Sequence, residues 1–230
     1  FIDDFIIIKK RRSLGLKPWQ KIVMQFGLAL YVANYQYTVS ASAPQLMVPF
    51  TDIAINLGPL YVPIMIFVIV GTVNAVNLTD GIDGLATSVT TIIVACLTVI
   101  GVIFDVKEII IFGTIVCGCN LAFLIFNLHP AKMFMGDTGA TFLGYILATM
   151  SIQGLFKFYA IISFAVPFLI LGLPIFDTAF AMIRRMAHGQ SPMHADRGHI
   201  HHRLIDMGLN QKQAVATLYV ISAILGLSAV

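Results

Sequence analysis

The sequence predicts an all-α polytopic integral membrane protein, and three observations carry that prediction. Mean hydropathy over the 230 residues is +0.90, with 58% hydrophobic and 11% charged side chains. Several uncharged runs approach the ~20 residues that a helix needs to cross a bilayer. The charges that remain are sorted onto one kind of connection between those runs. A soluble domain of this size needs a polar exterior, and the charged residues are too few to supply it. The first residue is Phe1 rather than Met, Asp3 and Asp4 follow without an apolar lead, and Val230 falls inside an apolar run. No n-region or cleavage site of a signal peptide is in view, and both ends are expected to be truncated.

Seven transmembrane helices are expected in one membrane-embedded domain over residues 1–230. They fall at roughly 22–38, 60–77, 85–104, 109–127, 139–154, 158–183 and 213–230. The connections 39–59, 105–108 and 155–157 lie on one side, and 1–21, 78–84, 128–138 and 184–212 on the other. Of the 14 Lys and Arg, only Lys107 and Lys157 fall in the first set; the other twelve fall in the second. The second set is therefore expected to face the cytoplasm. All six histidines fall there too, with seven of the eleven acids. Segment 39–59 carries Pro44, Pro49 and Pro59 and reads as a short hairpin over the outer face. Cys96, Cys117 and Cys119 lie in apolar spans, match no disulfide or zinc spacing, and read as small buried hydrophobes.

Four separated segments bring acids or histidines to the cytoplasmic side: FIDDF (1–5), NLTDGIDG (77–84), FMGDTG (134–139) and DRGHIHHRL (196–204). Charged groups near a bilayer are costly unless solvated or paired, so four such segments together point to a site rather than to solvated loops. Asp80 and Asp83 are three apart, so a helical turn would put both on one face. Gly81 and Gly84 let main-chain N–H groups approach a ligand. The D and G order resembles a calcium loop only superficially, because the twelve-residue ligand pattern is absent. Asp137, at the start of a span, is placed to hold Mg²⁺ with phosphate oxygens completing the shell. Phe134 offers either an aromatic face to a base or packing at the interface. His199, His201 and His202, beside Arg197 and Arg203, suggest anion recognition; HIHH fits neither HExxH nor a zinc-finger pair. Asp177, inside a span, reads as a buried structural partner. Carboxylates, a divalent cation, basic residues and histidines at one membrane surface suit phosphoryl transfer, while the absence of a Walker A motif leaves ATP hydrolysis unsupported. An ion transporter would place its acids near the midplane, where only Asp177 lies.

The order IDDF, NLTDGIDGLA, NLHPAKMFMGDTGA and SPMHADRGHIHHRL resembles the polyprenyl-phosphate N-acetylhexosamine-1-phosphate transferases, from Asp3 to about Leu209. The resemblance implies transfer of a sugar-1-phosphate from a UDP-sugar to undecaprenyl phosphate, with release of UMP. It implies Mg²⁺ or Mn²⁺, a bacterial cytoplasmic membrane and a site on its inner face. DRGHIHH matches the WecA/TagO-like branch, whose donor is UDP-GlcNAc; the muramoyl-pentapeptide branch typically carries three consecutive histidines. Such a step begins teichoic acid linkage units, O-antigen and other envelope glycans.

The resemblance also assigns residues. Asp3 and Asp4 match the acidic pair near the lipid phosphate, one as base or as covalent nucleophile. Asp137 matches the metal-holding acid. Asp80 and Asp83 match acids of the nucleotide site, with Gly81, Ile82 and Phe134 around the uracil and Asn77 and Asn127 at its border. His199, His201 and His202 match the histidine motif that contacts the donor, flanked by Arg197 and Arg203. A homodimer is compatible with the family, and no nucleic-acid partner is expected.

Overall fold

A computed structural model describes residues 5–6, 9, 15–39, 45–47, 54–156, 172–189 and 199–228. Asp3, Asp4 and Arg197 lie outside the described residues, as does the first part of the expected span 158–183. The protein is an all-α polytopic membrane protein with one short hairpin.

Helix α1 (Pro18–Val39) opens with Pro at its first position, where the missing N–H costs nothing, and Gln20 Oε1 accepts the Lys17 N–H at 2.9 Å. Strands β1 (Gln45–Met47) and β2 (Ala54–Asn56) pair antiparallel in the register Gln45↔Asn56, Leu46↔Ile55, Met47↔Ala54. They form the hairpin expected within 39–59. A short 3₁₀ turn (Gly58–Leu60) leads into α2 (Tyr61–Thr79), followed by α3 (Leu85–Ile103), α4 (Lys107–Asn127) and α5 (Gly136–Phe156). After the gap come α6 (Gly172–Ala187), the short α7 (Ile200–Asp206) and α8 (Gln211–Ser228).

Among the described residues, the stretches Gly58–Thr79, Leu85–Ile103 and Lys107–Asn127 are long and apolar enough to cross a membrane. Helices α1, α5 and α8 occupy three further expected spans, with weaker hydropathy. Threonine hydroxyls within α2 and α3 turn back onto carbonyls four residues earlier, as Thr79 to Ala75 at 2.8 Å and Thr98 to Val94 at 2.7 Å. Each thereby satisfies a polar group in apolar surroundings without an external partner.

Two apolar clusters hold the bundle. One packs Ala29 and Ala33 of α1 against Tyr61, Met65, Ile69 and Val73 of α2, with Ala148 and Ile152 of α5. The other joins α3, α4, α5 and α8 around Val89, Ile93, Leu97, Leu147 and Leu218. Small residues set the closest approaches. A Cβ on Gly144 of α5 would stand 2.6 Å from the Cα of Val73, and one on Gly226 of α8 would stand 2.6 Å from Cys96 Sγ. Polar ties add registration: Asn74 Nδ2 donates to Gln25 Oε1 at 2.7 Å, and Tyr145 Oη to the Gln25 carbonyl at 2.7 Å. These contacts fix α1, α2 and α5 as one group, so that the ends carrying the acidic segments meet.

Candidate functional site

The acidic loop forms where α2 stops. Asp80 caps the helix with φ −75° and ψ 51°, off the helical basin, and Gly84 adopts φ +76° before α3 begins. Residues 80–84 are thus a turn between helices, not a helical turn, so the expected helical face shared by Asp80 and Asp83 does not form. Asp83 Oδ2 faces His129 Nδ1 at 2.8 Å and accepts the Ala131 N–H at 3.2 Å, tying this loop to the one after α4. Asp80 stays half-buried, and its carboxyl is pushed up to about 6, first by burial and then by the negative charge of Asp137.

Asp137 lies in the first turn of α5, behind Gly136 at φ +63°, where the helix N-terminus favours a negative charge. It is exposed, and its Oδ2 pairs with Lys21 Nζ at 2.6 Å. Lys21 entered the sequence reading only as one charge among twelve. Its place beside Asp137 makes it a site residue that charge counting could not single out.

Asn127 is buried, with Oδ1 accepting from Thr87 Oγ1 at 2.7 Å and Nδ2 donating to the Met133 carbonyl at 2.9 Å. Its amide therefore braces the loop between α4 and α5 from within. Phe134, on that loop, is 76% exposed, which leaves a ring face available. Ile82 packs against the α3–α4–α8 cluster, and Asn77 lies on the last turn of α2, its carbonyl accepting the Asp80 N–H at 3.3 Å. From the other side, Tyr219 of α8 reaches the loop: its hydroxyl lies 2.5 Å from Ser88 Oγ and donates to the Gly84 carbonyl at 3.2 Å.

The histidine segment meets the acidic loop at Gly81. His201 is 3% exposed, and a Cβ built on Gly81 would collide with its ring at Nε2. Glycine at 81 is what lets the two segments touch. His201 is pushed down to about 4, first by burial, then by His202, with Asp177 opposing and His199 adding a little. The ring is neutral at physiological pH, and its Nε2 has no hydrogen-bond partner among the described residues. Its ring lies parallel to that of His199 at 5.8 Å and tilted to that of His202 at 4.2 Å. His199 Nδ1 faces Asp177 Oδ2 at 2.9 Å, and its Nε2 lies 3.4 Å from an Arg185 nitrogen. Arg203 is exposed on α7. Asp177, expected as a buried structural partner, is one, with the histidine segment as its partner.

Among the described residues no group of three or more His, Cys, Asp or Glu side chains closes around a cation. The residues present nonetheless fit a divalent ion. Burial and the negative charge of Asp137 make Asp80 costly to ionise, and Mg²⁺ is commonly held by one or two carboxylates with phosphate oxygens completing its shell.

Fold and site together define a class: a polytopic helical membrane protein with acidic loops and a histidine segment assembled at one end of its bundle. The profile of glycosyl transferase family 4 matches residues 1–155. The phospho-N-acetylmuramoyl-pentapeptide-transferase of Clostridioides difficile (strain 630) is 54% identical over 153 residues, covering 66% of this chain and 48% of that protein. A probable undecaprenyl-phosphate N-acetylglucosaminyl 1-phosphate transferase of Bacillus subtilis (strain 168) is 38% identical over 210 residues, covering 91% of this chain and 58% of that protein. The phospho-N-acetylmuramoyl-pentapeptide-transferase of Clostridium beijerinckii is 35% identical over 229 residues, 98% of this chain and 67% of that protein. The chain spans about half the length of the first of these relatives. It belongs to glycosyl transferase family 4.

Proposed function

We propose that the protein transfers N-acetylglucosamine-1-phosphate from UDP-GlcNAc to undecaprenyl phosphate on the inner face of a bacterial cytoplasmic membrane, releasing UMP. The observation that carries this reading is the junction of the acidic loop with the histidine segment at Gly81 and His201. It brings cation-holding carboxylates and neutral imidazoles, two things a nucleotide diphosphate needs, into one place.

An oxygen of the lipid phosphate attacks the β-phosphorus of the donor. The bond from that phosphorus to the bridging oxygen breaks, and UMP leaves with the electron pair. Asp3 or Asp4 takes the proton when the acceptor phosphate carries one. Asp80 and Asp137 would hold Mg²⁺ or Mn²⁺, which supplies charge neutralisation for the diphosphate. Asp83, fastened to His129 and the Ala131 N–H, fixes the loop edge where Phe134 offers its face to the uracil. Lys21 adds a cation beside Asp137, and His201, His202, Arg197 and Arg203 meet the sugar and diphosphate.

UDP-GlcNAc is preferred for two reasons. The segment reads DRGHIHHR, and of the two relatives named above that match more than nine-tenths of this chain, the Bacillus subtilis one, named for N-acetylglucosamine, is the more similar, at 38% against 35% identity. A second reading, with UDP-MurNAc-pentapeptide as donor, is favoured by the higher identity to the Clostridioides difficile relative over 153 residues. The test is UMP release by the full-length protein in detergent with undecaprenyl phosphate, Mg²⁺ and each donor separately. Release with UDP-GlcNAc alone is expected. Release with the pentapeptide donor alone would reverse the donor assignment, and failure of every UDP-sugar to give UMP would overturn the reaction.

A further inference from the structure

We propose that Asp177 is a positioning residue for the histidine segment, setting the tautomer of His199 and the start of α7 so that His201 is held against the acidic loop. The functional half of this inference rests on the transferase reading above; the geometric half does not.

Asp177 uses its two oxygens on two consecutive residues. Oδ2 accepts from His199 Nδ1 at 2.9 Å, and Oδ1 accepts from the Ile200 main-chain N–H at 2.8 Å. Ile200 is the first residue of α7, and His199 at its N-cap makes no side-chain cap bond. A carboxylate from another helix therefore satisfies an N–H that the cap leaves open. Asp177, His199 and Arg185 are all buried, a setting in which removing a charged group is costly.

The tautomer follows from the donors. A guanidinium can only donate, so His199 Nε2, 3.4 Å from Arg185 Nη2, is the accepting nitrogen and Nδ1 carries the proton given to Asp177. Both nitrogens of His199 thus face groups of α6, and neither is turned to a substrate. His199 acts as a pivot. Its ring lies within 4° of parallel to that of His201, whose buried Nε2 lacks a partner among the described residues and lies against Gly81. The line of control runs from Asp177 through His199 to His201 and the loop carrying Asp80.

Asparagine at 177 has the same shape and the wrong pattern of donors. Its Oδ1 can serve the Ile200 N–H, but its amide then faces His199 Nδ1 and drives the proton to Nε2, donor against donor with Arg185. Asp177→Asn in the full-length protein is expected to lower kcat for UMP release at least tenfold while the protein stays folded at the assay temperature. In ¹⁵N-histidine spectra, the His199 signal, assigned with His199→Gln, should move from the Nδ1–H to the Nε2–H tautomer. Arg185→Met added to Asp177→Asn removes the donor that opposes the Nε2–H tautomer, and should recover part of the rate. A purely structural role predicts instead that the second truncation deepens the first. Wild-type kcat in Asp177→Asn, a loss that follows the unfolded fraction, or an unmoved His199 signal would each overturn the proposal. If wild-type protein releases no UMP with any donor, the transferase reading falls, and the tautomer shift alone decides whether Asp177 positions the segment.

Discussion

Two carboxylate centres stand at the same end of the bundle and are built on opposite principles. Around Asp177 the groups are buried and both carboxylate oxygens are used: each has a donor, and the histidine it holds is bracketed by an arginine. Around Asp80 and Asp137 the charges are exposed or half-buried and mismatched, with two acids repelling each other and one lysine on the outer of them. The buried centre is complete without a ligand and fixes geometry. The open centre keeps two acids of like charge near each other, an arrangement that a divalent cation would relieve.

The sharpest way to break this contrast is to remove a charge from each centre and compare what is lost. On the proposed reading, Asp137→Asn should lower UMP release by about a thousandfold or more, measured at saturating Mg²⁺, because it deletes a carboxylate that would hold the divalent cation. Its unfolding midpoint should hardly move, since the exposed pair with Lys21 contributes only about 0–1 kcal/mol. A variant with near-normal turnover would remove Asp137 from the cation site.

A smaller effect is expected at the seam between the acidic loop and the histidine segment. Gly81→Ala puts a methyl into the ring of His201, which stacks on His199 and lies tilted against His202. Overpacking of this kind costs about 1–3 kcal/mol. Truncating the ring in a Gly81→Ala, His201→Ala double variant should return most of that stability in a detergent melt. Equal losses in the single and double variants would mean that the two segments do not touch in solution.

The smallest effect is in pH. Asp80 has its folded pKa raised from 3.8 to about 6, so its contribution to stability is fully present below pH ~4 and is lost as pH rises through about 6. His201 runs the other way: lowered from 6.5 to about 4, its contribution is present above pH ~6.5 and lost as pH falls towards 4. The two oppose each other between pH 4 and 6. In cation-free buffer, Asp80→Asn should therefore lose stability on acidification more steeply than wild type across that window. Parallel melting curves for the two proteins would show that Asp80 does not take up the proton.

The sequence carried the bundle well because hydropathy and charge sorting are summed over whole spans. The positions of α1 through α5 and α8 follow from that signal, as does the hairpin at 45–56 from its prolines. The candidate site was legible as four segments but not as a set of contacts. Nothing in the spacing of Asp80 and Asp83 said that one would lean towards Asp137 and the other fasten to His129, since the helix break at Asp80 is a tertiary outcome. Lys21 was hidden among topogenic charges, and Asp177 sits 22 residues from the histidine it holds. Asn127 was placed at the border of the nucleotide site by the resemblance alone; its two bonds, to Thr87 and Met133, brace the loop there and could not be read from spacing.

The bond from the Tyr219 hydroxyl to the Gly84 carbonyl joins residues 135 positions apart. At about 5–20 residues per second of synthesis, that separation corresponds to roughly 7–27 s. Throughout that interval the loop bearing Asp80 and Asp83 is already made and has no clamp from α8. A nascent chain stalled before Tyr219 already has the tie of Asp83 to His129 but lacks the tie of Gly84 to α8, so the two fastenings of the acidic loop are separated in time.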